Sequence, residues 1–323
     1  MTRVVVTEIP ASAGRDLAVE RAILGTGIDL AQHTYDGDED HLIEACRDAD
    51  VVLTDYSPLT SKVIRQLSRC RLISVAATGY DNVDLAAAGQ AGIRVCAIDE
   101  YCTDEVADHA ILLMLALCRR LPEYHEQVQQ DLRWQFDTLS GLARMRDLTL
   151  GIVGFGRIGQ AVARRARGFG MPLIAYDPYP NLEKAAELGV RFSELETLFA
   201  ESNIISLHCG LSDNNQKLFN PAAFRQMKRQ PFVINCARGA LIDEAALLDA
   251  LDSGQIAGAG LDVLGEESPD LESLKLLGRG NVILTPHVAF YSDASILENR
   301  RLSASNIRHF LDGEHDKVRR YVL

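Results

Sequence analysis

Along most of this chain, short apolar runs of strand length alternate with stretches of helical spacing. Val4 to Thr7 precedes Arg15 to Leu24, Asp50 to Thr54 precedes Thr60 to Leu67, and Leu72 to Ala76 is followed by Val83 to Ala91 and Ile93 to Cys96. Such alternation predicts parallel strands with crossover helices, so the first hundred residues predict a small α/β domain. The pattern resumes at Leu148 with strands near Asn203 to Leu207, Pro231 to Asn235, Gly258 to Val263 and Val282 to Leu284, and helices near Pro221 to Met227 and Asp243 to Leu251. Between the two halves, Thr103 can cap a long apolar helix through Val106, Ala110, Leu113 and Leu117 toward Leu121, where Pro122 follows; this helix is expected to connect two domains. Residues 123–146 read as helical but irregular, and are a candidate dimer arm. Asp293 to Leu311 predicts a last helix, late enough in sequence to return to the first domain.

One stretch, Leu148 to Asp177, carries more than a fold. An apolar run enters three glycines, Gly154, Gly156 and Gly159, then helical spacing through Ile158, Ala161, Val162 and Ala166, and a second apolar run ends in Asp177, 18 positions after Gly159. This is the layout of a dinucleotide-binding βαβ unit: the first glycine turns the chain, the second admits a pyrophosphate to the backbone, the third packs helix on strand, and the helix start favours phosphate charge. Asp177 then accepts from the ribose hydroxyls and repels a 2′-phosphate. No Arg lies in 178–181, so NAD is favoured over NADP. The plain alternative is a tight turn with a solvated acid at the strand end. No such glycine motif occurs in the first hundred residues, which points that domain at a different ligand.

Composition narrows the class. The 323 residues suffice for two domains, and the net charge of −12 argues against nucleic acid or an anionic membrane as the main partner. The apolar start is only a strand long with Glu8 at its end, and Ala110 to Cys118 is far too short to span a bilayer, so neither a signal peptide nor a membrane segment is expected. Seven cysteines lack any zinc-type spacing, which predicts reduced thiols, a cytoplasmic location and no metal site.

Ligands of open α/β sheets sit beyond the carboxyl ends of strands, so polar groups just after strands are the candidates for chemistry. Arg238 after FVINCA, Asp262 with Glu266 and Glu267 after AGAGL, and His287 after VILTP fit that placement. A His near neutral pH can move the proton that accompanies hydride transfer, a carboxylate can orient it, and the planar fork of Arg can hold a carboxylate or polarise a carbonyl. Each admits a structural reading: Arg238 paired with Asp243 or Glu244, His287 as a turn residue, and the acids solvated in the loop GEESPD. His208 is read as packed or solvent-facing.

Together these motifs resemble those of the D-isomer-specific 2-hydroxyacid dehydrogenases, and within them the branch related to C-terminal-binding proteins. The resemblance runs over ATGYDNVDLAAA (77–88), EYCTDEVADHA (100–110), GIVGFGRIG (151–159), YDPY (176–179), NCARGALIDEAAL (235–247), AGAGLDVL (257–264) and LTPHVAFYS (284–292). It implies two doubly wound parallel-sheet domains joined by crossover helices: a flavodoxin-like substrate domain (1–98 and 291–323) and a Rossmann NAD-binding domain (99–290). It further implies a catalytic set of Arg238, Glu267 and His287. Gly154, Gly156, Arg157, Ile158, Gly159, Asp177, Thr103, Cys236, Ala237 and Asp262 would hold the cofactor, Asp262 at the nicotinamide carboxamide. Thr78 and Gly79 would join Arg238 and His287 at the substrate. Ser268 departs from the usual Glu-Pro, which leaves Glu266 and Glu267 open; Glu267 is preferred because it lies five positions after Asp262. Gly210 stands where Pro is common, so that loop is expected to move more freely.

The implied activity is NAD-dependent interconversion of a small 2-keto acid and its D-2-hydroxy acid, with the substrate between the domains, in a homodimer formed through the cofactor domain. The rival reading is an NADH-responsive corepressor-like binding protein. It would need long tails or a peptide groove, and the chain begins three residues before its first predicted strand and ends at Leu323.

Overall fold

The computed structural model describes residues 1–10 and 14–323. The chain forms two compact units, Met1–Tyr101 with Ser292–Leu323, and Cys102–Tyr291.

In the first unit β1 (Thr2–Glu8), α1 (Ala18–Leu24), β2 (Ile28–Thr34), α2 (Glu39–Cys46), β3 (Val51–Thr54), α3 (Ser61–Ile64), β4 (Leu72–Val75), α4 (Leu85–Gln90) and β5 (Arg94–Ala97) follow in order. The strands pair in parallel as β2-β1-β3-β4-β5. VVLT and LISV are buried at every position because helices cover both faces of this sheet, which is why they read as continuous runs without alternation. Asp38 and Asp84 cap α2 and α4 by accepting from Asp40 N–H and Ala87 N–H. The sequence pattern left β2 and α2 unassigned. β2 is an edge strand, half-buried over most of its length, whose Asp29, Gln32 and His33 interrupt any apolar run.

The second unit contains α5 (Thr103–Cys118), α6 (Leu121–Gln129), β6 (Leu150–Val153), α7 (Arg157–Gly168), β7 (Leu173–Tyr176), α8 (Leu182–Leu188), β8 (Val190–Phe192), α9 (Leu195–Glu201), β9 (Ile204–Leu207), α10 (Pro221–Gln226), β10 (Phe232–Asn235), α11 (Glu244–Asp252), β11 (Gly258–Leu261) and β12 (Val282–Leu284). Its parallel sheet runs β12-β11-β10-β9-β6-β7-β8, so the winding reverses between β6 and β9. A crevice at the carboxyl ends of those two strands is where such a sheet binds its ligand. Two apolar layers, one with α5 and α7 and the other with α9, α10 and α11, cover its faces.

Three expectations need correction. The residue capping α5 is Cys102, with no side-chain cap bond, and Thr103 is already helical. The helix stops at Cys118; Arg120 takes φ 52°, and α6 starts afresh with Pro122 in its first turn, where the missing N–H costs nothing. From the crossover at Tyr101–Cys102 onward, Ala107, Ala110, Leu113, Met114 and Leu117 of α5 are built into the core of the second unit. After α6, residues 130–144 form no helix. Gln127 donates to the carbonyls of Arg133 and Gln135, and Tyr124 to that of Phe136, and these bonds hold the segment with Leu132, Trp134 and Phe136 exposed.

The last helix, α12 (Asp293–Leu311), starts on a reciprocal Ser292–Ser295 capping box and packs in the first unit, where Ile307 and Phe310 join the apolar layer over β1, β3 and β4.

Candidate active site

The glycine turn has the shape a dinucleotide requires. Gly154 has φ +93°, and a Cβ there would strike the backbone of His208 and Cys209 after β9; a Cβ on Gly159 would collide with the carbonyl oxygen of Gly154. Gly156, by contrast, has open space above it. The turn is thus closed on the protein side at two glycines and open at the third, which leaves backbone accessible to a pyrophosphate at the start of α7. Asp177, just past β7, accepts from Phe155 N–H at 2.7 Å and from Tyr179 N–H at 2.8 Å. Those two bonds aim its carboxylate and leave lone pairs for ribose hydroxyls. Arg157 and Ile158 form the first turn of α7, Ile158 packing on the core. These residues fit NAD.

The loop after β9 lacks the usual proline but is tied down. Asn215 donates to the Gly210 carbonyl and accepts from Ser212 N–H, both at 2.7 Å, which runs against the looseness expected there. His208 is neither surface nor ordinary core: its Nε2 lies 2.8 Å from Ser206 Oγ, its Nδ1 is enclosed without a partner, and burial pulls its pKa down to about 3.

At the ends of β10, β11 and β12 the remaining candidates converge. Asn235, wholly buried, accepts from Ala237 N–H and donates to the Arg238 carbonyl, fixing the loop that presents Arg238. Of the two acids that could pair with Arg238, Asp243 pairs with Lys217 and Glu244 accepts from Gly265 N–H. Cys236 is nearly enclosed and its thiol is pushed well up, by burial first and by Asp262 second, so it is a neutral wall of the site. Among the described residues no cluster could hold a metal.

Asp262, 1% exposed, is the hub. Its carboxylate accepts from Thr285 Oγ1 at 2.5 Å and from Val288 and Ala289 N–H at 2.9 Å, while its carbonyl accepts from His287 N–H at 2.8 Å. Every one of those donors belongs to the loop that carries His287. The clamp lets His287 sit at φ 51°, a left-handed conformation uncommon for a side-chain-bearing residue. His109, on α5, reaches Thr285 Oγ1 at 3.0 Å. Because Thr285 donates its hydroxyl proton to Asp262, it accepts from His109 Nε2–H.

His287 Nδ1 meets Glu267 Oε2 at 2.7 Å, and the ring of Phe290 stands edge-on to the imidazole at 5.8 Å. Glu267, not Glu266, is therefore the acid in contact. Thr78 and Gly79 lie in the first unit, just past β4. The sequence reading missed Asn235, Thr285 and His109 as parts of the site. All three lie inside the motifs NCARGALIDEAAL, LTPHVAFYS and EYCTDEVADHA, but nothing in the spacing singles them out.

A glycine-turn sheet with a histidine–carboxylate pair at its strand ends defines an NAD-dependent oxidoreductase. The family model described as "D-isomer specific 2-hydroxyacid dehydrogenase, NAD binding domain" matches residues 111–289. A hydroxypyruvate reductase of Blautia hydrogenotrophica is 35% identical over 281 residues, 85% of this chain and 86% of that protein. A glyoxylate reductase of Korarchaeum cryptofilum is 38% identical over 281 residues, 84% and 83% of the two chains. A D-lactate dehydrogenase from Aquifex aeolicus, solved with NAD and lactic acid, superposes with a TM-score of 0.90 at 28% identity, over 99% of this chain and 98% of that one. The chain belongs to the D-isomer-specific 2-hydroxyacid dehydrogenases, NAD-dependent oxidoreductases that interconvert 2-keto and D-2-hydroxy acids. Relatives of this kind do not favour the corepressor-like reading.

Proposed function

We propose that this enzyme reduces a small 2-keto acid to the D-2-hydroxy acid, with His287 as acid and base, Glu267 and Arg238 beside it, and Thr78 and Gly79 at the substrate carboxylate. The observation that carries this reading is the 2.7 Å contact between His287 Nδ1 and Glu267 on a loop clamped by Asp262. With Nδ1–H donating to the carboxylate, Nε2 is the nitrogen that delivers a proton to the substrate oxygen, and Glu267 stabilises the imidazolium that does so. Arg238 binds the carboxylate and polarises the keto group through its fork of donors. NAD, when bound, supplies or takes up the hydride. Gly154, Gly156, Gly159, Arg157 and Ile158 hold its phosphates, Asp177 its ribose, and Thr103, Cys236, Ala237 and Asp262 its nicotinamide end. Asp262 has a second task in this reading, because the same carboxylate sets the position of His287.

The substrate class follows from the relatives, which reduce hydroxypyruvate or glyoxylate or act on lactate by name. A panel of glyoxylate, hydroxypyruvate and pyruvate, followed by the loss of NADH absorbance with NADPH alongside, tests it. Turnover of one or more with NADH is expected, and His287→Ala is expected to abolish it while NADH still binds. Undiminished turnover by that variant sinks the assignment.

The exposed Leu132, Trp134 and Phe136 support a homodimer through the cofactor unit. Light scattering behind size exclusion should give twice the 35.5 kDa chain mass, and a monomer at micromolar concentration excludes it. A cytoplasmic location is in keeping with seven free thiols. No helix among the described residues is long and apolar enough to cross a membrane. Placement in the branch related to C-terminal-binding proteins rests on the sequence motifs.

A further inference from the structure

The chain's last residues do something the proposed mechanism leaves unused. Beyond α12 the chain runs antiparallel beside β5, with Tyr321 bridging Cys96, Ala97 N–H donating to the Arg320 carbonyl and Val322 N–H to the Val95 carbonyl, both at 2.9 Å. Successive side chains on an extended segment alternate faces. Tyr321 accordingly packs with the layer of α12 and lies under the guanidinium of Arg94, while Val322 packs with the opposite layer. Arg320 shares the face of Val322. Its guanidinium stands over the Tyr80 ring at 5.4 Å, and its Nη1 donates to the Thr78 carbonyl at 3.3 Å.

That hydrogen bond fixes a peptide plane. The chain has no cis peptide among the described residues, so the Thr78 carbonyl and the Gly79 N–H point in opposite directions from one rigid unit. Anchoring the carbonyl toward Arg320 turns the Gly79 N–H away from it, and among the described residues no acceptor takes that N–H. No carboxylate pairs with Arg320 among those residues either. A cation on the carbonyl also polarises the peptide and strengthens its N–H as a donor.

We propose that Arg320 is a positioning residue for substrate recognition: from the C-terminal strand it aims and polarises the Gly79 N–H that binds the 2-keto acid's carboxylate. This rests on the reading that Thr78 and Gly79 bind that carboxylate. Tyr80 serves as the platform that holds the planar guanidinium in place.

Glyoxylate, the smallest 2-keto acid, isolates carboxylate recognition from contacts with a longer substrate. In steady-state kinetics Arg320→Gln should raise KM for glyoxylate about tenfold, with kcat within about twofold and KM for NADH unchanged, the size expected for losing one charge-assisted contact. Arg320→Lys, which keeps the charge without the planar stack, should recover part of that loss. A thermal melt of each variant separates this from a role in holding the tail alone, which would lower the melting temperature and leave KM for glyoxylate where it was. That result overturns the inference, as does an equal rise in both KM values. Gly79→Pro, which has no N–H to donate, serves as the control for the underlying reading, with its fold checked by the same melt. If it raises KM for glyoxylate and Arg320→Gln does not, the inference alone fails. If a folded Gly79→Pro changes nothing, or the unmodified protein turns over none of the three 2-keto acids, the carboxylate reading fails and the inference with it; if glyoxylate is not turned over, pyruvate takes its place.

Discussion

Two carboxylates serve His287, and their surroundings give them different duties. Asp262 is enclosed and gives its lone pairs to three donors of one loop, whereas the Glu267 side chain is 56% exposed and meets the imidazole. Substituting each should therefore separate folding from chemistry. In Asp262→Asn an amide N–H faces backbone N–H groups that need an acceptor, so the loop is released: kcat should fall about a hundredfold and the melting temperature by several degrees. Glu267→Gln removes the charge that stabilises the imidazolium from a largely exposed side chain. Its kcat should fall about ten- to a hundredfold with the melting temperature unchanged. Parallel kinetics and melts on the two variants check this; a stability loss in Glu267→Gln contradicts the division. Asp177 completes the residue scale. Asp177→Ser takes away the negative charge facing a 2′-phosphate, and the NADPH to NADH ratio of kcat/KM should rise about tenfold or more; an unchanged ratio removes Asp177 from cofactor choice.

At the scale of elements, the unit from β6 through α7 to β7 depends on contacts too close for any side chain. Gly159→Ala would set a methyl against the Gly154 carbonyl oxygen, which is backbone and cannot step aside. The turn must open, and NADH should bind at least about tenfold more weakly, as titration of its fluorescence would show. Gly156→Ala, with empty space around it in the free protein, should leave the melting temperature intact and weaken binding only through the ligand. The contrast between these two glycines was not legible in the sequence, where both are letters of one motif. The motif itself was legible, as were the buried strands, because apolar runs ending in glycine, Asn-Cys-Ala-Arg or Pro-His carry their own boundaries. β2, β8, α8 and α9 gave no comparable signal: these are short elements toward the sheet edges, with polar residues on their exposed faces. Spacing from Asp262 favours Glu267 over Glu266, and His287 Nδ1 meets Glu267 Oε2 at 2.7 Å. The clamp around Asp262 was out of reach because its partners, Thr285, Val288 and Ala289, lie 23 to 27 residues away and donate partly through backbone.

For the whole molecule the consequence lies in acid stability, and His208 sets the sign. Although part of the residue reaches solvent, its ring is enclosed at Nδ1, and the folded protein holds its pKa near 3, against an ordinary value of 6.5. The folded state thus keeps the ring neutral where the unfolded chain takes up a proton. Between about pH 6.5 and pH 3 the unfolded state binds more protons, so stability contributed by the neutral ring is complete above pH 6.5 and is lost as pH falls through that window. A single such site contributes a slope of up to about 1.4 kcal/mol per pH unit. Acidification also relieves part of the net charge of −12, which works in the opposite direction for the chain as a whole. A variant comparison cancels that shared term. His208→Gln keeps a polar group toward Ser206 but cannot be protonated, so its urea midpoint should fall less between pH 6.5 and pH 4.5 than that of the unmodified protein, with both changing in parallel above pH 7. Parallel curves at acid pH would mean that the ring takes its proton in the folded state, and that the segment after β9, against which Gly154 packs, is open to water.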